Sequence, residues 1–460
     1  MHLVWHRTEL RTHDHPALAA AADSGEPILP LVIIDPIIFN RPVTTPRRQA
    51  WFLENVRALR ESYRSLGADL IVREGVPHEV LAQLAGEHKF SHAHYIKNHT
   101  PYAKLRDQLA DQAFDRAYVK VERYPGQYTH EPGELRTEAG GHYTVFGPYA
   151  KKWLAAPLPK LAETPTTLPK VPKSITRGEI RHVDPGMKLP DPGEGAALKR
   201  FDDFLAHAES GYAEARDFPA RRPSTSLLSM YFNIGALGPR LAVHRSQDPK
   251  WRSELAWWDF NAEVLDTQPE GATLEYKHPW RGFPWRDDQA EVEKWEQGQT
   301  GFPMVDAGMR QLQQTGFMHN RARLITASFL CRTLMIDWRI GEAIFRGLLL
   351  CGDSAQNIGN WQWVAGSGYD ASPYFRILNP ITQGERYDPT GDYVREWVPE
   401  LSQLKGKAIH QPWLSRQKFD YPERMVDLNL GRDRFKQVAK QFLHGTREAK
   451  PQPESASPED

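Results

Sequence analysis

Side chains that could bind phosphate groups and aromatic bases are concentrated between positions 316 and 380 of the 460-residue chain. Asn320, Arg321 and Arg323 crowd the start of an apolar helical pattern, where two arginines can hold phosphates through charge-assisted hydrogen bonds. Trp361 and Trp363 follow in the segment NWQW. Few ordinary cores place two indoles beside asparagine and arginine in this way, so the region is predicted to be a functional site.

A second pattern pairs a carboxylate with an indole. Glu254 and Trp257 are separated by one helical turn in WRSELAWWDF, and on a helix that spacing brings both side chains to one face. The carboxylate could accept a hydrogen bond from a base edge while the indole ring stacks on the base. The alternative is a core tryptophan beside a surface glutamate, and the isolated pattern does not exclude it.

A third pattern places small hydroxyl residues after a proline-containing turn in YAEARDFPARRPSTSLLS. Thr225, Ser226 and Ser229 could present hydroxyls and backbone N–H groups to a phosphate, and a helix beginning near Leu227 would add its N-terminal dipole. Serine and threonine are also preferred as simple helix N-caps, and the spacing alone favours that alternative.

Bulk composition limits the class of protein. Lys+Arg and Asp+Glu both number 58, so any affinity for nucleic acid must come from a local basic patch. Two cysteines, Cys331 and Cys351, are too few for a disulfide framework or a four-ligand zinc site, so no metal is expected. The N-terminal residues contain no apolar run long enough for a signal peptide or a membrane span. A soluble, cytoplasmic protein is expected.

An α/β domain is predicted to open the chain. Over residues 1–128, short apolar runs alternate with helical patterns, which predicts βαβ crossovers and a five-stranded parallel sheet in a Rossmann-like domain. No glycine-rich fingerprint follows the first strand, so ordinary NAD binding is not expected. The predicted strands are His2–Trp5, Ile28–Ile34, Leu70–Val72, His94–Ile96 and Tyr118–Val121, with helices near residues 16–24, 47–66, 77–87 and 101–113.

The remaining residues predict a connector, a helical domain and a tail. Residues 129–195 include a proline-rich stretch that suits an extended linker. Residues 196–444 show helical periodicity without a series of strands, which predicts an all-α domain. Trp338 is predicted at the far end of the helix that begins at Asn320, roughly five turns away. Residues 445–460 are almost free of apolar side chains and are predicted to be disordered.

Several longer segments resemble the photolyase/cryptochrome family, and most closely the bacterial class I cyclobutane pyrimidine dimer photolyases. They are EYKHPWRGFPW, GFPMVDAGMRQL, MHNRARLITASFL and NWQWVAGSGYDASPYFRILNPITQGERYDPTGDYVREWVPEL. The resemblance covers nearly the whole chain. It implies an α/β antenna domain and an all-α domain that binds a folded FAD. It also implies light-driven repair of DNA, in which excited reduced FAD passes an electron to a flipped-out pyrimidine dimer.

The resemblance assigns roles to residues by motif position. The residues it places around FAD are Tyr212, Thr225, Ser226, Leu227, Leu228, Ser229, Trp251, Asn320, Arg323, Asp353 and Asn357. Those it places against the lesion and the DNA backbone are Arg216, Glu254, Trp257, Asn320, Arg321, Leu324, Trp363 and Arg376. Trp361, Trp338 and Trp285 match a chain that carries electrons from the surface to the flavin. Glu254 and Asn357 are expected to act in the repair reaction itself.

Some alternatives stay open beside this resemblance. A cryptochrome-like blue-light photoreceptor would keep FAD and the tryptophan chain but would signal through partners, whereas Asn357, Glu254 and Trp363 favour repair. A second, antenna chromophore is expected, which could be methenyltetrahydrofolate, a deazaflavin or FMN, and a monomer is expected. Leu324 and Cys351 depart from the family pattern, in which methionine and aspartate are usual at these positions.

Overall fold

The computed structural model describes residues 1–370 and 377–448, and within them the chain forms two compact units. The first unit contains Met1–Pro269, Gln311–Met318 and Ala343–Asn357. The second contains Glu270–Arg310, His319–Glu342 and the described residues from Ile358 onward. Among the described residues, no helix combines the length and the apolar character that crossing a membrane requires.

The predicted five-stranded parallel sheet is confirmed in the first unit. Its strands are β1 (His2–His6), β2 (Ile28–Ile34), β3 (Ile71–Glu74), β4 (His92–Ile96) and β5 (Lys120–Tyr124), in the order β3-β2-β1-β4-β5. Strands β1 and β2 are buried along their whole length, because central strands of a parallel sheet are covered on both faces. The last strand starts later than predicted, since Tyr118 has a left-handed φ of 55° and lies in an exposed turn.

Helices alternate with the strands along the chain and continue after the last strand. The helices up to residue 269 are α1 (Pro16–Asp23), α2 (Pro36–Phe39), α3 (Pro46–Ser65), α4 (Pro77–Glu87), α5 (Pro101–Arg116), α6 (Phe146–Ala155), α7 (Gly193–His207), α8 (Tyr212–Ala215), α9 (Ser229–Asn233), α10 (Pro239–Arg245) and α11 (Pro249–Thr267). Proline begins most of them, because the first helical position needs no backbone N–H. Residues 156–192 contain neither helix nor strand.

The later part of the chain is helical, as predicted. Its helices are α12 (Gln289–Glu296), α13 (Pro303–Thr315), α14 (Asn320–Ser328), α15 (Trp338–Leu348), α16 (Ser354–Ala365), α17 (Pro380–Tyr387), α18 (Asp392–Trp397) and α19 (Leu428–Glu448). The residues at the start of α14 are followed by a fully buried stretch from Ile325 to Leu334, which agrees with the apolar pattern of that segment.

The prediction that Trp338 lies on the helix beginning at Asn320 is wrong. Helix α14 ends at Ser328, a π-helical turn spans Phe329–Leu334, and Met335 then has a φ of 62°. A left-handed residue cannot continue a right-handed helix. Trp338 therefore begins a new helix, α15, whose direction is set independently of α14.

An ion-paired histidine in the first unit should make stability depend on pH. His99 contacts Glu131 at 2.6 Å and Asp266 at 3.3 Å. Burial alone would lower the pKa of His99, but the hydrogen bonds to Asp266 and Glu131 outweigh burial and raise it from 6.5 to about 9. A pKa that is higher in the folded state means that the contribution is complete below pH 6.5 and is lost as the pH rises through about 9.

We therefore expect the free energy of unfolding to fall by roughly 3 kcal/mol over that interval because of this group. Urea unfolding of wild type and His99→Gln at both ends of the interval measures it, and the variant should lose this part of the pH dependence. His207→Gln, at an exposed histidine of α7, is the control and should keep it. Equal pH profiles for wild type and His99→Gln would contradict the assignment.

Candidate functional site

Residues 225–229 form a cluster of unused hydrogen-bond donors in the first unit. The hydroxyls of Thr225, Ser226 and Ser229 make no hydrogen bond within the described parts of the chain, although all three residues are partly buried. Helix α9 begins at Ser229, with Leu228 at the N-cap position and no side-chain cap. The N-cap alternative is therefore wrong. Partly buried donors without protein partners fit a phosphate-bearing ligand, which is what FAD would present.

Two predicted site residues, Arg216 and Glu254, form an ion pair in the first unit. Helix α11 carries Glu254, and its first turn is fixed by Asp248, which accepts a hydrogen bond from the Trp251 amide at 2.6 Å. Burial alone would lower the pKa of Arg216, but the Glu254 carboxylate outweighs burial and raises it. The Arg216 guanidinium also lies 5.4 Å from the ring centre of Tyr212. These three side chains are thus one cluster.

Trp257 and Trp251 occupy different environments on α11. Trp257 is stacked on Phe146 of α6, with ring centres 3.5 Å apart and planes at 10°, so one of its faces is covered. Trp251 is buried and packs against Phe201 and Phe204, at 5.5 and 5.4 Å between ring centres. A role of Trp257 against a lesion would have to use its other face or its edge.

Asp353 lies directly before α16 and Asn357 lies in its first turn, and this end of the helix is fixed to α11 in the first unit. Gln356 accepts a hydrogen bond from Asn261 at 2.9 Å and donates one to the Trp258 carbonyl at 2.7 Å. The Asp353 carboxylate accepts from the Gln356 amide at 2.9 Å. Burial raises the pKa of Asp353, and the amide hydrogen bonds only partly offset it. Asn357 lies one turn further on and is buried.

The second unit holds the residues at the start of α14. Asn320 is exposed, and Arg321, Arg323 and Leu324 are partly buried. The Arg321 guanidinium lies 4.1 Å from the ring centre of Tyr387, and the Arg321 amide donates to His319 at 3.1 Å. His319 thus has a structural role at the helix start. Arg376 lies outside the described residues.

A glycine lets Trp361 pack against the helix that Trp338 begins. Trp338 begins α15 and is 1% exposed, and Gly341 follows three residues later on the same helical face. A side chain at Gly341 would overlap the ring of Trp361, which therefore lies directly on this face of α15. Trp361 is 2% exposed. Trp361 thus packs on the face of α15 that also carries Trp338.

Trp285 and Trp338 share a partner that was not predicted from the sequence. The Glu275 carboxylate accepts hydrogen bonds from the indole N–H of Trp338 at 3.3 Å and of Trp285 at 3.5 Å. Trp285 is partly buried, in contrast to the fully buried Trp338. Glu275 stands in the family-like segment EYKHPWRGFPW, but a lone glutamate between aromatic residues gave no signal of this contact.

Gln362 is a second residue that the sequence did not single out. It lies between the two tryptophans of NWQW, is fully buried, and accepts a hydrogen bond from the Tyr276 amide at 2.8 Å. Its amide donates to the carbonyls of Gly271 and Leu274 at 2.9 and 3.0 Å. Gln362 therefore holds the loop that presents Glu275.

Trp363, also on α16, has no partner of its own among the described residues. Its indole nitrogen is buried and makes no hydrogen bond to them, and its ring contacts no other described aromatic ring. A partly buried indole with an unused donor is suited to stacking on a bound aromatic group.

Comparison with known proteins agrees with these features. A family model described as DNA photolyase matches residues 2–170, and one described as FAD binding domain of DNA photolyase matches residues 251–441. A deoxyribodipyrimidine photo-lyase of Thermus thermophilus is 40% identical over 451 residues, which cover 96% of this chain and 99% of that protein.

Solved structures give the same result. A class III photolyase from Agrobacterium tumefaciens aligns with a TM-score of 0.88 at 35% identity, over 96% of this chain and 97% of that one. A cryptochrome from Synechocystis aligns with a TM-score of 0.87 at 30% identity, over 95% and 98%. Family models over most of the length and a 40% identical relative of the same extent lead to one conclusion: the chain belongs to the DNA photolyase family.

Proposed function

We propose that this chain is a deoxyribodipyrimidine photo-lyase that binds FAD and repairs cyclobutane pyrimidine dimers in DNA under light. The observation that carries the proposal is that the buried N–H of Trp363 has no hydrogen-bond partner and its ring contacts no aromatic ring among the described residues. A dimer must leave the base stack to be repaired and then needs an aromatic surface to receive it. The 40% identity to a photo-lyase over almost the whole chain supports the same function.

The proposed FAD site combines anion-binding and ring-binding groups. The unused donors of residues 225–229 would hold the phosphates, and Asp353 and Asn357 would face the flavin ring. By family resemblance, contacts with FAD are also expected of Tyr212, Asn320 and Arg323. Bound FAD would supply the electron-transfer chemistry of dimer splitting, and the residues named above would position it and set its electrostatic surroundings.

The proposed lesion contacts use charge as well as stacking. Arg216 and Arg321 would bind phosphates of the DNA backbone, which requires no net positive charge on the whole protein. Glu254 would accept a hydrogen bond from the flipped dimer. Because Arg216 and Glu254 form an ion pair, each would have to exchange this partner or share it when DNA binds.

The proposed electron path runs through Trp361, Trp338 and Trp285. Trp285 is partly buried and is the end of the path nearest the surface. Trp338 is fully buried, and Trp361 packs against the face of α15 that carries Trp338. Such a path would let a surface reductant restore the reduced flavin that repair requires. It does not take part in dimer splitting itself.

The proposal also assigns roles to the domains of the chain. We place antenna binding in residues 1–128, a connector in residues 129–195 and FAD and lesion binding in residues 196–444. A second chromophore, which could be methenyltetrahydrofolate, a deazaflavin or FMN, would occupy the antenna domain. We also propose a monomer that acts in the cytoplasm on DNA.

Light-dependent repair is the direct test of this function. Purified protein with chemically reduced FAD should restore dimer-containing oligonucleotides under near-ultraviolet or blue light and leave them unchanged in the dark. Dimers that persist under light, with the flavin fully reduced, would favour the cryptochrome alternative, for which the Synechocystis relative is the structural precedent.

Replacing Trp363 by alanine should weaken binding of dimer-containing DNA while the FAD content stays unchanged. The loss of one stacking surface costs about 1–3 kcal/mol, which corresponds to a rise in Kd of roughly 5-fold to 150-fold. Fluorescence anisotropy of a labelled duplex measures it. Trp397→Ala is the matched control, because Trp397 is a partly buried indole of the same unit that also lacks a described hydrogen-bond partner. Equal Kd values for Trp363→Ala and Trp397→Ala would contradict the assignment.

A further inference from the structure

Glu275 is a buried carboxylate shared by two indoles. It is 1% exposed, and its Oε1 atom accepts the N–H of Trp338 at 3.3 Å and that of Trp285 at 3.5 Å. The two indole nitrogens therefore lie within two hydrogen-bond lengths of one another. A carboxylate that only anchors an indole needs one indole partner. Glu275 instead contacts two members of the proposed electron path.

The other oxygen of Glu275 is occupied by a cation. Arg339 donates to Oε2 at 2.9 Å and is itself held by Asp337 at 3.0 Å. The loop that carries Glu275 is fixed by Gln362, which binds the next residue's amide. Oε1 is thus held against the two indoles, and the charge of Arg339 keeps a partner, Asp337, if Glu275 becomes neutral.

The electrostatics around Trp338 point to the same atom. The Arg339 guanidinium lies 4.8 Å from the ring centre of Trp338, where its positive charge opposes oxidation of that ring. Glu275 and Asp337 together place two carboxylates around this one guanidinium. Only the Glu275 carboxylate contacts the indole N–H, which is the bond that becomes strongly acidic when an electron leaves the ring.

We propose that Glu275 is the proton acceptor of the tryptophan path, an inference that rests on the proposed function. When the neighbouring ring of the path has already lost an electron, Trp338 or Trp285 reduces it by one electron and is left as a cation radical. Its Nε1–H bond then breaks and the proton moves to Oε1 of Glu275. The bonding electron pair stays on the indole nitrogen. The products are a neutral indole radical and a neutral carboxylic acid, and this step neither gains nor loses an electron.

Transient absorption after a light pulse on the FAD-loaded protein tests the step, because the cation and neutral radicals of tryptophan have different visible spectra. In Glu275→Gln, which keeps the shape and a hydrogen-bond acceptor, conversion of the cation radical should be at least about tenfold slower, equal to a barrier higher by about 1.4 kcal/mol. In wild type the conversion should slow in D₂O. Asp337→Asn removes a neighbouring carboxylate from the same Arg339 and should convert at the wild-type rate.

A second measurement checks the contact without light or flavin chemistry. In protein labelled with ¹⁵N-tryptophan, Glu275→Gln should move two indole N–H signals, assigned through Trp285→Phe and Trp338→Phe. Moved signals with an unchanged conversion rate would overturn the proposal and leave Glu275 with a structural role.

The measurements give a different result if electrons do not pass through the tryptophan path at all. Wild-type protein would then form no tryptophan radical, and Trp338→Phe would photoreduce its flavin normally. That result would overturn the electron path and the role of Glu275 together. By contrast, a radical that forms in wild type and loses its proton equally fast in Glu275→Gln overturns the role of Glu275 alone.

Discussion

Trp338→Phe should nearly abolish photoreduction of the oxidised flavin but leave repair by chemically reduced protein at the wild-type level. Trp338 lies on the helix that Trp361 packs against at Gly341, and it shares Glu275 with Trp285, so it is the middle position of the proposed path. Phenylalanine fills most of the volume but is much harder to oxidise than indole. Repair should survive because dimer splitting returns the electron and consumes none.

Glu254→Ala should show the opposite pattern. Its flavin should photoreduce normally, while lesion binding and repair yield fall, because a polar partner of the dimer is lost and Arg216 is left without its carboxylate. An unsatisfied polar group of this kind costs about 1–3 kcal/mol. Absorption spectra during illumination measure photoreduction, and recovery of dimer-containing oligonucleotides measures repair.

The opposite defects of the two variants distinguish a repair enzyme from a sensor: Trp338→Phe loses photoreduction and keeps repair, whereas Glu254→Ala keeps photoreduction and loses repair. A photoreceptor that uses the same path would show the Trp338→Phe defect and no repair in any variant. Trp397→Phe controls for the loss of an indole elsewhere in the second unit. If Trp338→Phe and Trp397→Phe photoreduce equally fast, the electron does not pass through Trp338.

The sheet and most helices could be predicted because their signals are local. Strand β2 is a continuous apolar run buried on both faces, and its predicted bounds, Ile28–Ile34, match the structure. The break between Asn320 and Trp338 could not be predicted, since the π-helical turn in FLCRTL contains neither glycine nor proline. The left-handed residue that ends it is a methionine, which gives no local warning.

The residues of the site could be predicted where they lie in segments that resemble the family, but the contacts between them could not. Glu275 and Trp338 are 63 positions apart, and Gln362 binds an amide 86 positions away, so both contacts depend on the folded arrangement. The pairing of Arg216 with Glu254 is of the same kind. Spacing also gave a wrong result at Ser229, because N-cap preference describes an average helix start and this one is capped by no side chain.

Gly341→Ala should impair photoreduction through packing alone. A methyl group at this position would overlap the ring of Trp361 and come within 2.6 Å of Leu330. Alanine favours a helix over glycine by about 1 kcal/mol, whereas overpacking a rigid core costs about 1–3 kcal/mol. The net effect on the free energy of unfolding should therefore be a loss of up to roughly 2 kcal/mol.

Gly341→Ala should slow photoreduction even where the protein stays folded. The added methyl group forces Trp361 away from the face of α15 that carries Trp338. Photoreduction should slow, while repair by chemically reduced protein should persist. Gly86→Ala is the matched control: it lies in helix α4, where an added methyl meets no atom within 4 Å, so it should only stabilise. Wild-type photoreduction in Gly341→Ala would mean that Trp361 does not depend on this contact to exchange electrons with Trp338. The path would then have to leave Trp361 through another neighbour, such as Trp295, whose ring centre lies 6.2 Å away.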